Sequence, residues 1–225
     1  MASFEVEIKS LLGSEERAQA LREQMARLDP ATKLTGKNNQ LNHYFTGGNL
    51  EALAVSLRSE CLSQEKCDEL GLLAKQAKDF SVRTREKDGT VLLVVKASVD
   101  ATTSHNGITR IEFEEEAKLP LNTLDAVILG SGFNYQAKWS RAREEYVCRG
   151  ITICLDKNAG YGWLAEFEKM VDAEEKADAA RQEIRALMRE LGAEELPQER
   201  LERMFAFYNA HWEEYYGTDK TFTVT

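Results

Sequence analysis

The sequence predicts an α+β fold, in which an antiparallel sheet of roughly eight strands is flanked by helices and followed by a C-terminal helical hairpin. Most segments between residues 1 and 170 alternate apolar and charged residues with a period of two, as strands do. Asp88-Gly89 and Arg149-Gly150 are turn signals between neighbouring strands, and a sheet that meanders in this way can close on itself. From about Asp172 the apolar period becomes helical.

The chain begins with a strand and a helix. The segment FEVEIK (4–9) alternates strictly between apolar and charged residues and predicts the first strand. Ser14 followed by Glu15 and Glu16 predicts the start of a helix, because a hydroxyl caps the free amide groups and acids favour the positive helix end. This helix is expected to end before Pro30.

The middle of the chain contains a helical insertion between strands. QLNHYF (40–45) predicts a strand, and residues 50–79 carry apolar residues at helical spacing. Six further strands are predicted, in FSVRTRE, TVLLVVKAS, ITRIEFEEE, NYQAKWSRAREEYVC, ITICLD and WLAEFEK. One helix, LNTLDAVILG, is predicted between the third and the fourth of them.

The last part of the chain predicts two helices. An apolar stripe runs from Ala173 to Leu191 and ends at Gly192, and a second helix with an aromatic stripe starts near Pro197. We therefore expect one domain over residues 1–170 and a helical extension over 171–225 packed on it. The aromatic stripe is most simply a packing surface, and it could also serve a homodimer.

Composition and charge exclude several classes of protein. A formal net charge of −9, with no cluster of Lys and Arg, argues against nucleic acid and anionic membranes as partners. The apolar runs are too short to span a membrane, and Glu5 and Glu7 stand near the amino terminus where a signal peptide would be apolar. We expect a cytoplasmic protein, in which the four cysteines are reduced and partly buried and hold no zinc.

Charged residues occupy one alternating set of positions in several strands. The cations in this set are Lys9, Arg83, Arg85, Lys96, Arg110, Arg141 and Arg143. The carboxylates are Glu5, Glu7, Glu112, Glu114, Glu166 and Glu168. A solvated outer face is one interpretation of such a pattern. Arginine and glutamate at strict i, i+2 spacing in strand after strand favour the other interpretation, a polar interior that binds a ligand.

A ligand for this interior must satisfy both signs of charge. Arginine and lysine bind phosphate oxygens, and the guanidinium group does so with two parallel hydrogen bonds. Glutamates clustered without histidine or thiolate suit a hard cation such as Mg²⁺ or Mn²⁺. A polyphosphate chelated to such a cation supplies both charges.

An ordered set of motifs resembles the CYTH superfamily, the triphosphate tunnel metalloenzymes. FEVEIK resembles the E-x-E-x-K signature of that family. The resemblance continues in order through NHYF, VRTR, VVKAS, TRIEFE, SRAREEY, LDKNAGYG and LAEFEK, so it covers roughly residues 1–170. The single signature is weakly specific, whereas the ordered set is highly specific.

The resemblance implies a closed, eight-stranded antiparallel tunnel whose acids and bases have separate roles. Mg²⁺ or Mn²⁺ would be held by Glu5, Glu7, Glu112, Glu114, Glu166 and Glu168. A small-molecule triphosphate would be bound by Lys9, Arg83, Arg85, Lys96, Arg110, Arg141 and Arg143. The residues expected to carry catalysis are Glu5, Glu7, Lys9 and Arg85. Asp156 is a lesser candidate.

Some positions depart from the pattern of the family. Thr46 stands where many members have an aspartate, so no role is expected for that acid here. Lys138 is out of phase with Arg141 and Arg143, which places it outside the charged set unless the strand bulges. The insertion at 50–79 is long and could cover a tunnel mouth.

Three functions fit this site. The first is metal-dependent hydrolysis of tripolyphosphate, thiamine triphosphate or a nucleoside triphosphate. The second is a class IV adenylyl cyclase, which converts ATP to cyclic AMP and pyrophosphate. The third is a non-catalytic binder of polyphosphate or nucleotide, which would have little use for so many carboxylates beside an anion. The sequence does not separate the first two.

Overall fold

The computed structural model describes residues 4–57, 61–98 and 110–224. It describes the backbone without the side chain for Phe4, Arg110, Ile111, Glu112 and Glu174. The strands in these ranges are β1 (Phe4–Gly13), β2 (Lys33–Gly47), β3 (Asp79–Lys87), β4 (Thr90–Ser98), β5 (Arg110–Glu116), β6 (Phe133–Cys148), β7 (Ile151–Asn158) and β8 (Gly162–Val171). The helices are α1 (Glu15–Leu28), α2 (Leu50–Leu57), α3 (Gln64–Gln76), α4 (Leu121–Gly130), α5 (Ala177–Glu190) and α6 (Gln198–Tyr215). The predicted α+β class is confirmed.

The eight strands form one antiparallel sheet in the order β1-β8-β7-β6-β2-β3-β4-β5. Because β1 and β5 are its two edges, the sheet is open and the predicted closure into a barrel is not supported. Both edge strands carry alternating glutamates, Glu5 and Glu7 in β1 and Glu114 and Glu116 in β5. Charged side chains on an edge strand disfavour pairing with a further strand.

The chain divides into two compact units. The first consists of Met1–Asn39 and Ser140–Thr225, and the second consists of Gln40–Trp139. Each unit has its own apolar core. The division predicted from the sequence, 1–170 and 171–225, stays a prediction.

Two helices cover the apolar face of β1, β7 and β8 in the first unit. Val6, Ile8 and Phe167 are buried in this core, together with Leu21 of α1 and Ile184 of α5. Successive strand side chains point to opposite faces, so Glu5, Glu7, Glu166 and Glu168 lie on the face away from the helices. Lys169 shares the face of Phe167 and pairs with Glu183 of α5.

Local signals in the sequence explain how α1 and α3 begin. The Ser14 hydroxyl accepts a hydrogen bond of 3.4 Å from the backbone amide of Arg17, as its position predicts. Ser63 caps α3 in the same way through the amide of Lys66, at 3.3 Å. Within the described residues, the predicted helical insertion contains two helices, α2 and α3.

The core of the second unit lies between β2, β3 and β4 and the helices α2, α3 and α4. Phe45, Val82 and Leu93 from the strands are buried with Leu57 and Leu70 from the helices. The turn after β2 contains Gly48, which has a φ angle of +75° and lies against the buried ring of Phe133. A Cβ atom there would lie 2.2 Å from the Phe133 ring, so a larger residue would not fit.

Two tight turns join strands as the sequence predicts. Asp88 and Gly89 between β3 and β4 have φ angles of 49° and 88°. Arg149 and Gly150 between β6 and β7 have φ angles of 48° and 76°. Two successive residues with positive φ are typical of the type I′ turn, whose twist matches that of antiparallel hairpins.

No helix in the described ranges combines the length and the apolar composition that crossing a membrane requires.

Candidate functional site

Three glutamates converge on the charged face of the first unit. Glu5 and Glu7 come from β1 and Glu168 comes from β8, where it lies directly opposite Glu7. One carboxylate oxygen from each lies within 4.8 Å of the others. The alternation with Val6 and Phe167 explains this placement, because those neighbours are buried under the helices. The arrangement concentrates negative charge at one point of the sheet.

The Glu168 carboxyl reflects this concentration of charge. Burial disfavours its ionised form, the charges of Glu166 and Glu5 repel it, and together they raise its pKa to about 7. Without a cation, the acidic group therefore holds a proton over part of the neutral range. A cation bound among the three oxygens would favour release of that proton.

A chain of ion pairs continues from the acidic group. The ammonium group of Lys9 contacts the Glu7 carboxylate and lies 3.3 Å from Glu166 Oε1. Glu166 also pairs with the Arg143 guanidinium. Burial opposes ionisation of Glu166, but Lys9, Arg143 and Arg141 outweigh it and lower its pKa. Glu166, predicted as a metal ligand, thus lies between two cations, and its role as a ligand stays a prediction.

Asp156 anchors both arginines of β6. It is fully buried, and Arg143 Nε and Nη2 donate to its two oxygens at 2.7 and 2.6 Å. Arg141 Nη1 donates to the same carboxylate at 2.9 Å. Burial disfavours the charged form of Arg143, but the carboxylates of Asp156 and Glu166 outweigh burial. The pKa of Arg143 is therefore raised above its usual range. The sequence made Asp156 only a lesser candidate. It lies in a strand of alternating residues, β7, and its position there is opposite Arg143.

The four cysteines, Cys61, Cys67, Cys148 and Cys154, are all buried and form no disulfide, as predicted. Cys154 lies opposite Glu166 in the sheet. Burial raises the pKa of its thiol to about 12, so the thiol stays protonated at neutral pH.

In the second unit, residues of β2 hold the arginine pair of β3. Arg85 Nε donates to Asn42 Oδ1 at 3.0 Å, and Arg85 Nη1 lies 3.4 Å from Glu114 Oε2. Arg83 Nη1 donates to the Tyr44 hydroxyl at 3.1 Å, and its guanidinium lies 5.7 Å from the centre of the Tyr44 ring. Both arginines are thus oriented by side chains directly across the ladder.

The other predicted residues of this unit are placed as follows. Lys96 is half-buried on β4, opposite Glu112. The side chains of Arg110 and Glu112 lie outside the described residues. Lys138 Nζ lies 4.1 Å from the centre of the Tyr135 ring, and Thr46 is exposed.

A buried polar cluster behind the arginine pair has no counterpart in the sequence-based predictions. Asp125 of α4 accepts hydrogen bonds from Thr84 at 2.8 Å and Tyr135 at 2.7 Å, and His43 Nδ1 lies 2.6 Å from it. His43 and Asp125 are 82 positions apart in the chain. The alternation of β2 and β3 shows that His43 and Thr84 face the core, but no sequence pattern links them to Asp125.

The sequence matches the model of one protein family. A model of the CYTH domain matches residues 72–200, more than half of the sequence. No curated protein sequence matches significantly.

Solved structures share the fold. The PH1819 protein from Pyrococcus horikoshii is 21% identical, with a TM-score of 0.58 over 94% of this chain and 99% of its own. A conserved hypothetical protein from Pyrococcus furiosus is 19% identical, with a TM-score of 0.57 over 87% and 93%. A candidate adenylate cyclase from Vibrio parahaemolyticus is 17% identical, with a TM-score of 0.55 over 92% and 99%. At these identities the likeness extends to the fold alone.

Proposed function

This chain belongs to the CYTH domain family, and from that membership and its charged faces we propose that it hydrolyses a triphosphate with the help of a divalent cation. The observation that carries this proposal is the convergence of Glu5, Glu7 and Glu168 beside a lysine on one face of the sheet. Structural charges normally pair with opposite charges, whereas here three carboxylates meet. Such a group is suited to a cation.

The donor set fits Mg²⁺ or Mn²⁺. All three donors are carboxylate oxygens, which hard divalent cations prefer. Burial and the charges of Glu166 and Glu5 raise the pKa of Glu168, and a bound cation would offset that effect. When bound, a divalent cation supplies polarisation of the phosphoryl oxygens. Glu5, Glu7 and Glu168 would hold it, and Glu112, Glu114 and Glu166 stay further candidates.

Each unit has cations that we assign to phosphate oxygens. Arg83 and Arg85 are held by Tyr44 and Asn42, and Arg143 is held by Asp156 and Glu166, so their guanidinium groups are oriented before substrate binds. Groups fixed in this way need little reorganisation as charge spreads over the transferring phosphoryl group. Lys96, Arg110 and Arg141 are assigned to the same role.

Product analysis tests the proposal directly. Purified protein would be incubated with tripolyphosphate, thiamine triphosphate or ATP, with Mg²⁺, with Mn²⁺ or with chelator. Release of orthophosphate that requires the cation is expected. Cyclic AMP and pyrophosphate from ATP would identify a cyclase instead, and tight binding without turnover of any of the three would identify a binder.

Arg85→Ala should weaken the binding of tripolyphosphate in the absence of metal. Arg85 is only 15% exposed and its fork is oriented by Asn42, so we expect a loss of roughly 1.5–3 kcal/mol, the range for a hydrogen bond to a charged group. Titration calorimetry measures this loss. Lys87→Ala, which removes an exposed cation from the same strand, should change the affinity much less. Equal losses in both variants would contradict a specific contact.

The affinity for Mn²⁺ without substrate should rise with pH and level off above about pH 7. The reason is that Glu168, with a pKa of about 7, carries at lower pH a proton that the cation must displace. The cost reaches at most about tenfold in affinity per pH unit below the pKa. Paramagnetic resonance of free Mn²⁺ measures the affinity. Glu168→Gln should bind Mn²⁺ more weakly and lose this rise; a flat profile in the unaltered protein would argue against Glu168 as a ligand.

A further inference from the structure

The Asp125 carboxylate lies in the core of the second unit at the meeting point of four elements. His43 of β2 and Tyr135 of β6 contact Oδ2, and Thr84 of β3 donates to Oδ1. The side chains of His43 and Asp125 are 2% and 1% exposed. Burial disfavours ionisation of Asp125, but the hydrogen bonds from His43, Tyr135 and Thr84 outweigh it and lower its pKa. An ionised carboxylate only accepts hydrogen bonds, so His43 Nδ1 carries the hydrogen.

The ladder between β2 and β3 places this cluster directly behind the arginine pair. His43 lies opposite Thr84, Asn42 lies opposite Arg85, and Tyr44 lies opposite Arg83. Two of the three residues that Asp125 binds, His43 and Thr84, are therefore the middle pair of three consecutive cross-strand pairs. Because side chains alternate, the middle pair faces the core, while the outer pairs, which hold the arginines, face the other side.

The composition of the cluster favours a role beyond stability. A buried carboxylate must recover the cost of its desolvation from its hydrogen bonds, and an apolar contact of the same size would often stabilise the core as well. Hydrogen bonds have directional requirements that apolar contacts lack. Two of the three hydrogen bonds to Asp125, those from His43 and Thr84, hold β2 and β3 at the level of the arginines.

We propose that Asp125 is a positioning residue for phosphate binding, and that it acts through Thr84 and His43 on the orientation of Arg83 and Arg85. This role rests on the proposed function, because it presupposes that the two arginines bind phosphate. Asp125 holds the two backbones from the core side, so that Asn42 and Tyr44 meet the guanidinium groups at the distances observed. The guanidinium groups of both arginines are then already oriented when the triphosphate binds.

The test compares two substitutions of Thr84 that differ in the hydroxyl group. Thr84→Val keeps the shape but removes the donor to Asp125, and Thr84→Ser keeps the donor. Thr84→Val and Asp125→Asn should weaken metal-free binding of tripolyphosphate roughly five- to twentyfold. Thr84→Ser should stay within about twofold of the unaltered protein. The affinity for Mn²⁺ should be unchanged in all three, since no ligand assigned to the cation is altered.

A further variant separates positioning from general loss of stability. Leu70→Ala removes a fully buried side chain of α3 from the same core and should lower the melting temperature at least as much as Thr84→Val does. Measured at a temperature where all variants are folded, its affinity for tripolyphosphate should be unaltered. If Leu70→Ala weakened binding as much as Thr84→Val, the effect would be one of stability and the positioning role would be overturned.

The remaining outcomes distinguish the two proposals. In one outcome the unaltered protein binds tripolyphosphate, Arg85→Ala loses this binding, and both Thr84→Val and Asp125→Asn retain it. That outcome would overturn the role of Asp125 and leave the proposed function intact. Absence of tripolyphosphate binding and hydrolysis by the unaltered protein would overturn both. If Asp125→Asn does not fold, the comparison of Thr84→Val with Thr84→Ser still decides the question.

Discussion

Glu7→Gln should reduce kcat at saturating cation by roughly a hundredfold or more, since it removes one of three charges from the group assigned to the cation. The substitution keeps the size of the side chain and one acceptor oxygen. Metal-free binding of tripolyphosphate should hold steady or tighten, because repulsion of the anion falls and the Lys9 ammonium group is no longer next to the negative charge of Glu7. Steady-state kinetics and titration calorimetry measure the two quantities separately.

A matched control for this experiment is Glu213→Gln, which removes one exposed carboxylate from α6 in the same unit. Its kcat and its affinity for tripolyphosphate should stay close to those of the unaltered protein. An equal loss of metal-free affinity in Glu7→Gln and Arg85→Ala would contradict the separation of cation-holding acids from phosphate-holding bases. An unchanged kcat in Glu7→Gln would remove this residue from the cation site.

Asp156→Asn should destabilise the protein by about 3 kcal/mol, the lower end of the range for breaking a buried ion pair. Asp156 is fully buried and binds two arginines, of which Arg143 is only 12% exposed. With the charge removed, Arg143 keeps a single anionic partner, Glu166. Urea denaturation at neutral pH measures the free energy of unfolding.

An aspartate-to-asparagine substitution in an exposed ion pair is the control for Asp156→Asn. Asp219 pairs with Lys157 but is 87% exposed, so Asp219→Asn should change the free energy of unfolding by less than about 1 kcal/mol. Equal and small effects in both variants would mean that Asp156 does not anchor the arginines in solution. Metal-free binding of tripolyphosphate should also weaken in Asp156→Asn, because Arg141 and Arg143 lose the contact that orients them.

Local patterns in the sequence account for most of the secondary structure. Ser14 with Glu15 and Glu16 predicts the start of α1, and Asp88-Gly89 predicts the turn between β3 and β4. Period-two alternation predicts which residues of β1 are buried and which are charged. These predictions succeed because each depends on neighbours a few residues apart. Closure of the sheet depends on whether two edge strands pair, and that is a property of distant segments.

The candidate site divides in the same way. Alternation and the ordered motifs select the charged residues, including Glu5, Glu7 and the arginines of β3 and β6. Only the tertiary structure decides how they pair. It brings Glu168 to the two glutamates of β1, and it places Glu166 between Lys9 and Arg143.

The sequence by itself therefore determines the strands and helices, the family and the identity of the charged residues, because each follows from spacing along the chain. The tertiary structure decides the open edges of the sheet, the anchoring of two arginines by Asp156 and the cluster around Asp125. These features depend on contacts between residues far apart in sequence, such as His43 and Asp125. A hydrogen bond requires a distance near 3 Å, and spacing along the chain does not specify such a distance between separate elements.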